Sequence, residues 1–178
     1  MTDAIQELKV RAEILHGRVR ARDKRALARL RALPPLRRAA DRELLALAGA
    51  IRRRHCLAVI AAELGFSDWT VARRVITGED VAVDFGTLLC PPRCGGHINR
   101  WYARYDDATA VRKSCRGYLL AYRRQYLVVE RDYIETLGLD PDDGDWERLG
   151  FDWVRPRDVS ARSRLYAKLV ARLPREAA

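Results

Sequence analysis

The sequence has no hydrophobic run long enough to cross a membrane. Its longest uninterrupted apolar stretch covers only residues 56–62, whereas a membrane-spanning helix needs roughly 18 apolar residues or more. The first ten residues, MTDAIQELKV, carry three charged side chains where a secretory signal would have an apolar core. We therefore expect a soluble protein that spans no membrane, carries no secretory signal and stays in the cytoplasm.

Cysteine and lysine are both scarce. The chain of 178 residues has four cysteines, and in a cytoplasmic protein we expect them to be reduced rather than paired in disulfides. Only four of its 34 cationic residues are lysines, which together with abundant alanine is typical of GC-rich coding. The abundance of arginine is therefore not by itself a sign of arginine-specific recognition.

Internal repeats, low-complexity tracts and recognisable catalytic motifs are absent as well. The composition that remains, with 48% hydrophobic and 8% aromatic residues, is typical of a folded domain and excludes wholesale disorder. At this length the chain can form one ordinary domain or two small ones. Because no catalytic motif stands out, we do not expect an enzyme, and we expect no cofactor other than the zinc ion considered below.

The net charge of +10 is unevenly distributed along the chain. Residues 1–78 have 17 Lys and Arg against 8 Asp and Glu, which gives +9. Residues 79–178 have 17 against 16, which gives +1. A basic half favours an anionic partner, with nucleic acid first and an anionic membrane surface or an acidic protein second.

Helical periodicity dominates residues 1–78. Apolar residues at steps of three and four predict a first helix, with Thr2 or Asp3 as its N-cap: Ile5, Leu8, Ala12, Leu15 and Val19. A second helix is predicted over residues 23–33, and Pro34 stops it. A third begins at its N-cap Asp41, and the pattern leaves open whether it continues to residue 64 or restarts near residue 54. Ser67 is predicted to cap a short helix that Gly78 ends.

After residue 78 the pattern becomes mixed. Alternation at Val81, Val83 and Phe85 predicts a short strand, and residues 97–105 are a second candidate. The remaining prediction is a helix over residues 106–115, a hairpin with strands 118–122 and 125–130, and three further helices. These cover residues 132–137, begin at Asp140-Pro141, and cover residues 158–173. The fold class is therefore a predominantly helical α+β protein. A helical module, residues 1–78, packs on a small unit, residues 79–178, with the order β-α-β-β-α-α and a shared core.

One stretch carries a resemblance to a known module. Residues 55–70 read HCLAVIAAELGFSDWT, and the matching positions are Leu57, Ala61, Leu64, Gly65, Phe66 and Trp69. They resemble the helical module with the signature A-x-x-[LH]-G-F-x-x-W that occurs in uncharacterised bacterial proteins, beside ankyrin repeats and in glyoxalase-related proteins. The resemblance covers residues 5–76 and implies a bacterial packing unit of three or four helices without a catalytic residue. The C-terminal half resembles an uncharacterised bacterial family, which implies no function.

The same stretch is similar to a helix-turn-helix. That interpretation would place side chains of the second helix in the major groove of DNA: Ser67, Asp68, Thr70, Arg73 and Arg74. The position three after Val71 should then be apolar, but Arg74 occupies it. Trp69 also suits a core better than a groove. We therefore favour helical packing over DNA reading, while keeping Arg73 and Arg74 as nucleic-acid contacts.

Cys90, Cys94 and His97 form the motif C-x3-C-x2-H, which offers three zinc ligands within eight residues. Cys115 is the candidate for the fourth ligand. The alternative is that these thiols are simply buried, since free cysteine is among the most buried residue types. A further hypothesis makes Cys94 a nucleophile with His97 as its base.

Cations and aromatic residues interleave through the predicted hairpin and the strand before it: Arg100, Trp101, Tyr102, Arg104, Tyr105, Tyr118, Tyr122, Arg123, Arg124 and Tyr126. On a sheet surface this composition stacks bases and neutralises phosphates. The alternative, which the alternation favours, is that the aromatic rings face the core while the arginines extend outward.

The leading hypothesis is a non-enzymatic protein whose basic half binds an anionic partner, with nucleic acid first. The candidate contacts lie on the first two helices, the short helix and the hairpin: Arg18, Arg20, Arg22, Lys24, Arg25, Arg29, Arg31, Arg73, Arg74, Arg123 and Arg124. The alternatives are a metal-dependent or thiol enzyme centred on the Cys90 loop and a protein–protein adaptor; no small-molecule ligand is indicated. The leading hypothesis requires the cations to converge on one face of the protein. If they are paired with carboxylates instead, the hypothesis fails.

Overall fold

The computed structural model describes residues 3–79 and 84–173, which form nine α-helices and a three-stranded sheet. In chain order the elements are α1 (Ala4–Arg20), α2 (Lys24–Arg29), α3 (Asp41–Leu47), α4 (Arg53–Glu63), α5 (Trp69–Thr77), β1 (Arg100–Tyr102), α6 (Tyr105–Cys115), β2 (Tyr118–Tyr122), β3 (Gln125–Val129), α7 (Arg131–Leu137), α8 (Gly144–Leu149) and α9 (Val159–Ala171). The predicted fold class, a predominantly helical α+β protein, is confirmed. Within those ranges, no helix combines the length and the apolar character that crossing a bilayer requires.

Helix α1 forms as its apolar spacing predicts. The five residues of the predicted stripe are all buried: Ile5, Leu8, Ala12, Leu15 and Val19. The carboxylate of Asp3 accepts a hydrogen bond from the backbone N–H of Ile5 and so caps the helix. The stripe faces α4, α5 and α9, which makes α1 the central helix of the bundle.

Two helix boundaries differ from the prediction, and the structure decides a third that the sequence left open. Helix α2 ends at Arg29, and its last predicted turn is a 3-10 turn over Leu30–Ala32. The N-cap position of α3 is Ala40 rather than Asp41, and the helix start is held by Glu43, which accepts a hydrogen bond from the Ala40 N–H at 2.8 Å. The chain then breaks before α4, so the third helix restarts rather than continues.

Two predicted caps are wrong by one or a few residues. The N-cap of α5 is Asp68 rather than Ser67, because the Asp68 carboxylate accepts the Val71 N–H at 2.9 Å. Helix α8 begins at Gly144 rather than at Asp140-Pro141, with Asp143 as its N-cap. Asp140 instead closes a turn by accepting the N–H of Asp142. In both places several capping residues stand in succession, and the structure uses the one nearest the helix.

The sheet is antiparallel with the strand order β1-β3-β2. The predicted hairpin is confirmed, with Leu120 opposite Leu127. The strand predicted over 97–105 is limited to β1, because α6 already begins at Tyr105. In the predicted strand at Val81, Val83 and Phe85, residues 81–83 lie outside the described residues. Phe85 itself is not in a strand and donates its backbone N–H to the Arg123 carbonyl at the hairpin turn.

Three helices follow the sheet, and the last of them returns to the helical half. Helix α9 packs against α1, α5 and α8. The buried residues from 1–78 and from 79–178 form one continuous cluster. Trp146 and Trp153 are almost completely buried in it. The C-terminal helix thus completes a core that the N-terminal helices begin.

A fully buried cation joins the two halves. Arg162 on α9 has no exposed surface. Its guanidinium donates to the carbonyl of Trp153 at 3.0 Å and to the carbonyl of Val75 at 3.3 Å. Val75 lies in the last turn of α5, where the helix dipole presents partial negative charge. Burial lowers the pKa of Arg162, so these carbonyls offset part of the cost of removing the charge from water.

We expect Arg162→Ala to destabilise the protein by about 3 kcal/mol or more, because it leaves the buried Trp153 carbonyl without a donor, removes one of the two donors to the Val75 carbonyl and opens a cavity. Arg148 on α8 is exposed, so Arg148→Ala should change the free energy of unfolding by less than about 0.5 kcal/mol. Urea unfolding followed by circular dichroism compares the two variants. Equal stabilities would show that Arg162 does not hold the halves together.

Candidate nucleic-acid interface

Helices α1 and α4 run antiparallel, so the end of α1 lies beside the start of α4. Glu13 and Arg53 form an ion pair at 2.6 Å between their side chains. His16 Nε2 lies 3.2 Å from the carbonyl oxygen of Ile51. Arg20 is one helical turn beyond His16 on the same face of α1. Since α2 begins only a few residues after α1 ends, the starts of α2 and α4 both lie near the last turns of α1.

We call this region the basic end. It consists of the cations on the end of α1, the connecting turn, the start of α2 and the start of α4: Arg18, Arg20, Arg22, Lys24, Arg25, Arg52, Arg53 and Arg54. Five of the seven predicted contacts from the first two helices thus lie in the same region as three arginines that the sequence analysis did not select. A signal for those three exists in the run Arg-Arg-Arg-His, but its position beside α1 is a property of the tertiary packing.

The excess charge is concentrated in the segment that contains the basic end. Residues 16–54 contain thirteen Lys and Arg against three Asp and Glu. Each of the three acids already has a partner, since Asp23 caps α2, Asp41 pairs with Arg31 and Glu43 bonds to the Ala40 N–H. Among the described residues of the basic end, four exposed cations have no ion-pair or hydrogen-bond partner for their side chains: Arg20, Arg22, Lys24 and Arg25.

Two helices at the basic end carry cations rather than acids in their first turn. The N-terminus of a helix carries partial positive charge and favours acidic side chains there. Neither α2 nor α4 has an acidic residue in that turn; their first residues are Lys24 and Arg53, and each is followed by an arginine. The acidic N-cap of α2, Asp23, offsets part of this charge, whereas the N-cap position of α4 is Arg52. At the start of α4 the dipole and the cations therefore add to one positive potential, and a bound anion would relieve it.

Other predicted contacts are occupied by ion pairs. Arg29 binds both carboxylate oxygens of Glu63 at 2.7 Å. Arg31 binds Asp41 at 2.5 Å and the carbonyl of Ala39 at 3.1 Å. These pairs tie α2 and the turn after it to α4 and α3. Arg29 and Arg31 therefore act within the fold and lie outside the basic end.

The arrangement of α4 and α5 favours packing over DNA reading. Gly65 has a φ of +82° between the two helices. Trp69 is half-buried against the core, and Val75 is fully buried. Arg73 binds the two carboxylate oxygens of Glu79 at 2.7 and 3.1 Å. With Trp69 in the core and Arg73 paired, Arg74 is the cation that α5 exposes.

The hairpin arginines lie far from the basic end. Arg123 donates its backbone N–H to the Gly86 carbonyl, and the nearby Thr87 N–H bonds to the carbonyl of Leu64 at the end of α4. The hairpin turn therefore lies toward the C-terminal end of α4, opposite Arg53. The Arg123 guanidinium is 3.8 Å from Asp84. Arg124 is exposed without a side-chain partner among the described residues.

The Cys90 loop does not assemble as a metal site. Among the described residues, no group of three or more His, Cys, Asp or Glu side chains could hold a metal ion. His97 turns to α7, with Nδ1 3.2 Å from Asp132 Oδ2 and Nε2 2.9 Å from Thr136 Oγ1. Cys115 contacts the Arg112 carbonyl of its own helix at 3.8 Å. The geometry therefore does not support the zinc hypothesis.

The same loop is poorly suited to thiol catalysis. Cys94 is fully buried, and this burial raises the pKa of its thiol. Both ring nitrogens of His97 face partners on α7, so neither is left to activate a thiol. Tyr133, which packs edge-on to His97, donates its hydroxyl to the carbonyl of Leu89. The arrangement is that of a packed loop.

One groove lies beside α1. Its volume is about 480 Å³, and its apolar floor includes Leu8, Ile60 and Leu64. The charged residues in its lining form two ion pairs, Glu7–Arg11 and Glu63–Arg29. The lining has no Ser, Thr, Cys, His or Lys side chain, and both of its carboxylates are paired with arginines.

Comparison with protein-family models, curated proteins and solved structures finds no match to this chain. The resemblance of residues 5–76 to a bacterial helical module stays a prediction. The case for a function consequently depends on the geometry and electrostatics described above.

Cysteine alkylation tests the description of the Cys90 loop. Burial raises the pKa of Cys56 to about 11 and also raises that of Cys94, so at pH 8 both thiols should be protonated and shielded. We expect iodoacetamide to label the half-buried Cys90 and Cys115 first and to label Cys56 and Cys94 only after unfolding. Peptide mass spectrometry measures the rates. Rapid labelling of Cys94 in the folded protein would restore the thiol hypothesis.

Proposed function

We propose that the protein is a cytoplasmic nucleic-acid-binding protein that contacts phosphates through the basic end. The observation that carries this proposal is the meeting of two cation-rich helix N-termini with the end of α1. Phosphodiester groups are the anions that such a surface suits, because backbone N–H groups and guanidinium groups both donate to phosphate oxygens. A polyanion can satisfy several of these cations at once, which a single carboxylate cannot do.

The proposed mode of binding is largely independent of sequence. Phosphate contacts position a protein on nucleic acid, whereas base contacts in a groove provide specificity. The helix that would read a groove, α5, has Trp69 in the core and Arg73 paired with Glu79. We therefore expect affinity that falls steeply with salt, because each neutralised phosphate releases condensed counterions.

Fluorescence anisotropy tests the proposal directly. Labelled random-sequence duplex DNA, single-stranded DNA and RNA are titrated with the protein at low salt and again at increasing salt. Binding to at least one of them, with a linear decrease of log K against log salt, is expected. Failure of all three to bind at low salt would eliminate the proposed function.

Arg22→Gly separates binding from folding. Arg22 is exposed and has a φ of +61°, a left-handed conformation that glycine adopts without steric cost. The variant should keep the stability of the wild type or exceed it, while the salt slope decreases by about one unit and the affinity decreases several-fold.

Arg148→Gln is the matched control for this experiment, since it removes an exposed charge from α8. It should leave the salt slope unchanged. If both variants reduce affinity equally, the effect is one of total charge and the basic end is not the interface.

Lys24→Glu should move stability and affinity in opposite directions. Lys24 is the first residue of α2, where a glutamate interacts favourably with the helix dipole and should stabilise the protein by about 0.3–1 kcal/mol. The same change should weaken nucleic-acid binding about tenfold or more, because it reverses a charge at the proposed contact. Thermal unfolding and anisotropy measure the two effects.

Lys113→Glu makes the same charge change in the last turn of α6. There a glutamate opposes the helix dipole, so this control should lose a little stability and keep its affinity. Loss of affinity in the Lys113 variant alone would place the interface elsewhere.

A further inference from the structure

The sheet carries an exposed tryptophan that the core does not explain. Trp101 on β1 is 43% exposed, whereas Trp146 and Trp153 are at most 1% exposed. Ile98, three residues earlier, is fully exposed. An aromatic side chain of this size normally buries most of its surface in the core or in an interface. The exposed ring therefore indicates a surface that meets a partner.

The strand register places Trp101 at the rim of one face of the sheet. It lies opposite Leu127, and Leu127 lies opposite Leu120. Both leucines are fully buried, so the exposed part of the indole lies at the edge strand β1. Tyr126 is on the other face, where it packs against Tyr105 of α6 with ring centroids 5.8 Å apart. Helix α6 thus covers the face that Trp101 does not share.

The ring of Trp101 is held in place from one side. Tyr122 on β2 projects from the same face, and its ring meets that of Trp101 edge-on, with centroids 5.8 Å apart and planes at 87°. This contact restrains the side chain without stacking on it. A planar group from a ligand can therefore stack on the indole without first displacing another aromatic ring.

Cations border this aromatic pair on the side of the hairpin turn. The guanidinium of Arg123 lies 6.0 Å from the ring centroid of Tyr122, and both Arg123 and Arg124 are exposed. The acid that comes closest, Asp84, is 3.8 Å from Arg123. A flat π surface with adjacent guanidinium groups suits a nucleobase together with its phosphate.

We propose that Trp101 stacks an unpaired base, and that Arg123 and Arg124 bind the flanking phosphates, so that the protein has a single-strand contact in addition to the basic end. This inference rests on the proposed nucleic-acid function and specifies its substrate class. A paired base within a duplex is already stacked on both sides, whereas a single strand can present a free base face. Selectivity for single strands should therefore depend on Trp101, while the basic end contributes to both.

The experiment compares an oligothymidylate with a duplex of the same length. Trp101→Ala should weaken oligothymidylate binding about tenfold, because stacking contributes on the order of 1–3 kcal/mol per base, and should leave duplex binding within about twofold. Trp101→Phe keeps an aromatic face and should recover most of the lost affinity. Ile98→Ala removes an even more exposed apolar side chain from the same segment and should have no effect. Oligothymidylate should also quench tryptophan fluorescence in the wild type, but less in the Phe variant.

The outcomes separate this inference from the proposed function. If Trp101→Ala binds oligothymidylate as tightly as the wild type does, the stacking contact is wrong even though the basic end can still bind. If Lys24→Glu has no effect while Trp101→Ala loses single-strand affinity, the basic end is wrong and the stacking contact stands. If the wild type binds neither nucleic acid, both are wrong.

Discussion

The buried guanidinium of Arg162 is the constraint on which the arrangement of the two halves depends. A cation in the core must find acceptors, and here they are carbonyls from Val75 in the N-terminal helices and Trp153 in the C-terminal half. The packing around it is close, because a Cβ added at Gly78 would lie 2.8 Å from an Arg162 nitrogen. Helix α9 is thereby fixed against α5, and its packing on α1 orients the pair α1–α4 that forms the basic end.

The two halves use their charges differently. In the C-terminal half, cations and carboxylates bind each other across α7, α8 and α9: Arg131 with Asp142, Arg164 with Asp145, and Lys168 with Asp143. The Arg164 guanidinium accordingly holds the pKa of Asp145 below its ordinary value. The basic end has too few acids for such pairing, so its charge stays available to solvent and to ligands. This division explains how a strongly cationic region coexists with an almost neutral second half.

Local chemistry predicts the elements of this fold better than it predicts the site. The stripe of α1 and the hairpin follow from spacing, and Asp3 caps α1 because its carboxylate bonds to nearby backbone. The prediction of Ser67 as the N-cap of α5 is wrong because serine and aspartate both suit an N-cap, and only the backbone geometry selects Asp68. The partners of His97 lie 35 and 39 residues away along the chain, so no local pattern predicts that the imidazole contacts α7 instead of the cysteines. Likewise, the arginines of α4 join those of α1 only through tertiary packing.

Several arginines adopt a backbone conformation that is unfavourable for stability. In the described ranges, three of the four non-glycine residues with positive φ are arginines: Arg22, Arg116 and Arg123. The left-handed conformation costs an ordinary residue about 1 kcal/mol that glycine avoids. At Arg116 the charge lies at the C-terminus of α6, where the helix dipole favours it. No helix end accounts for Arg123 in its hairpin turn, and Arg22 belongs to the basic end. A cation at a position where glycine would make the protein more stable is expected if that side chain contacts a ligand, because stability is then lost in exchange for binding.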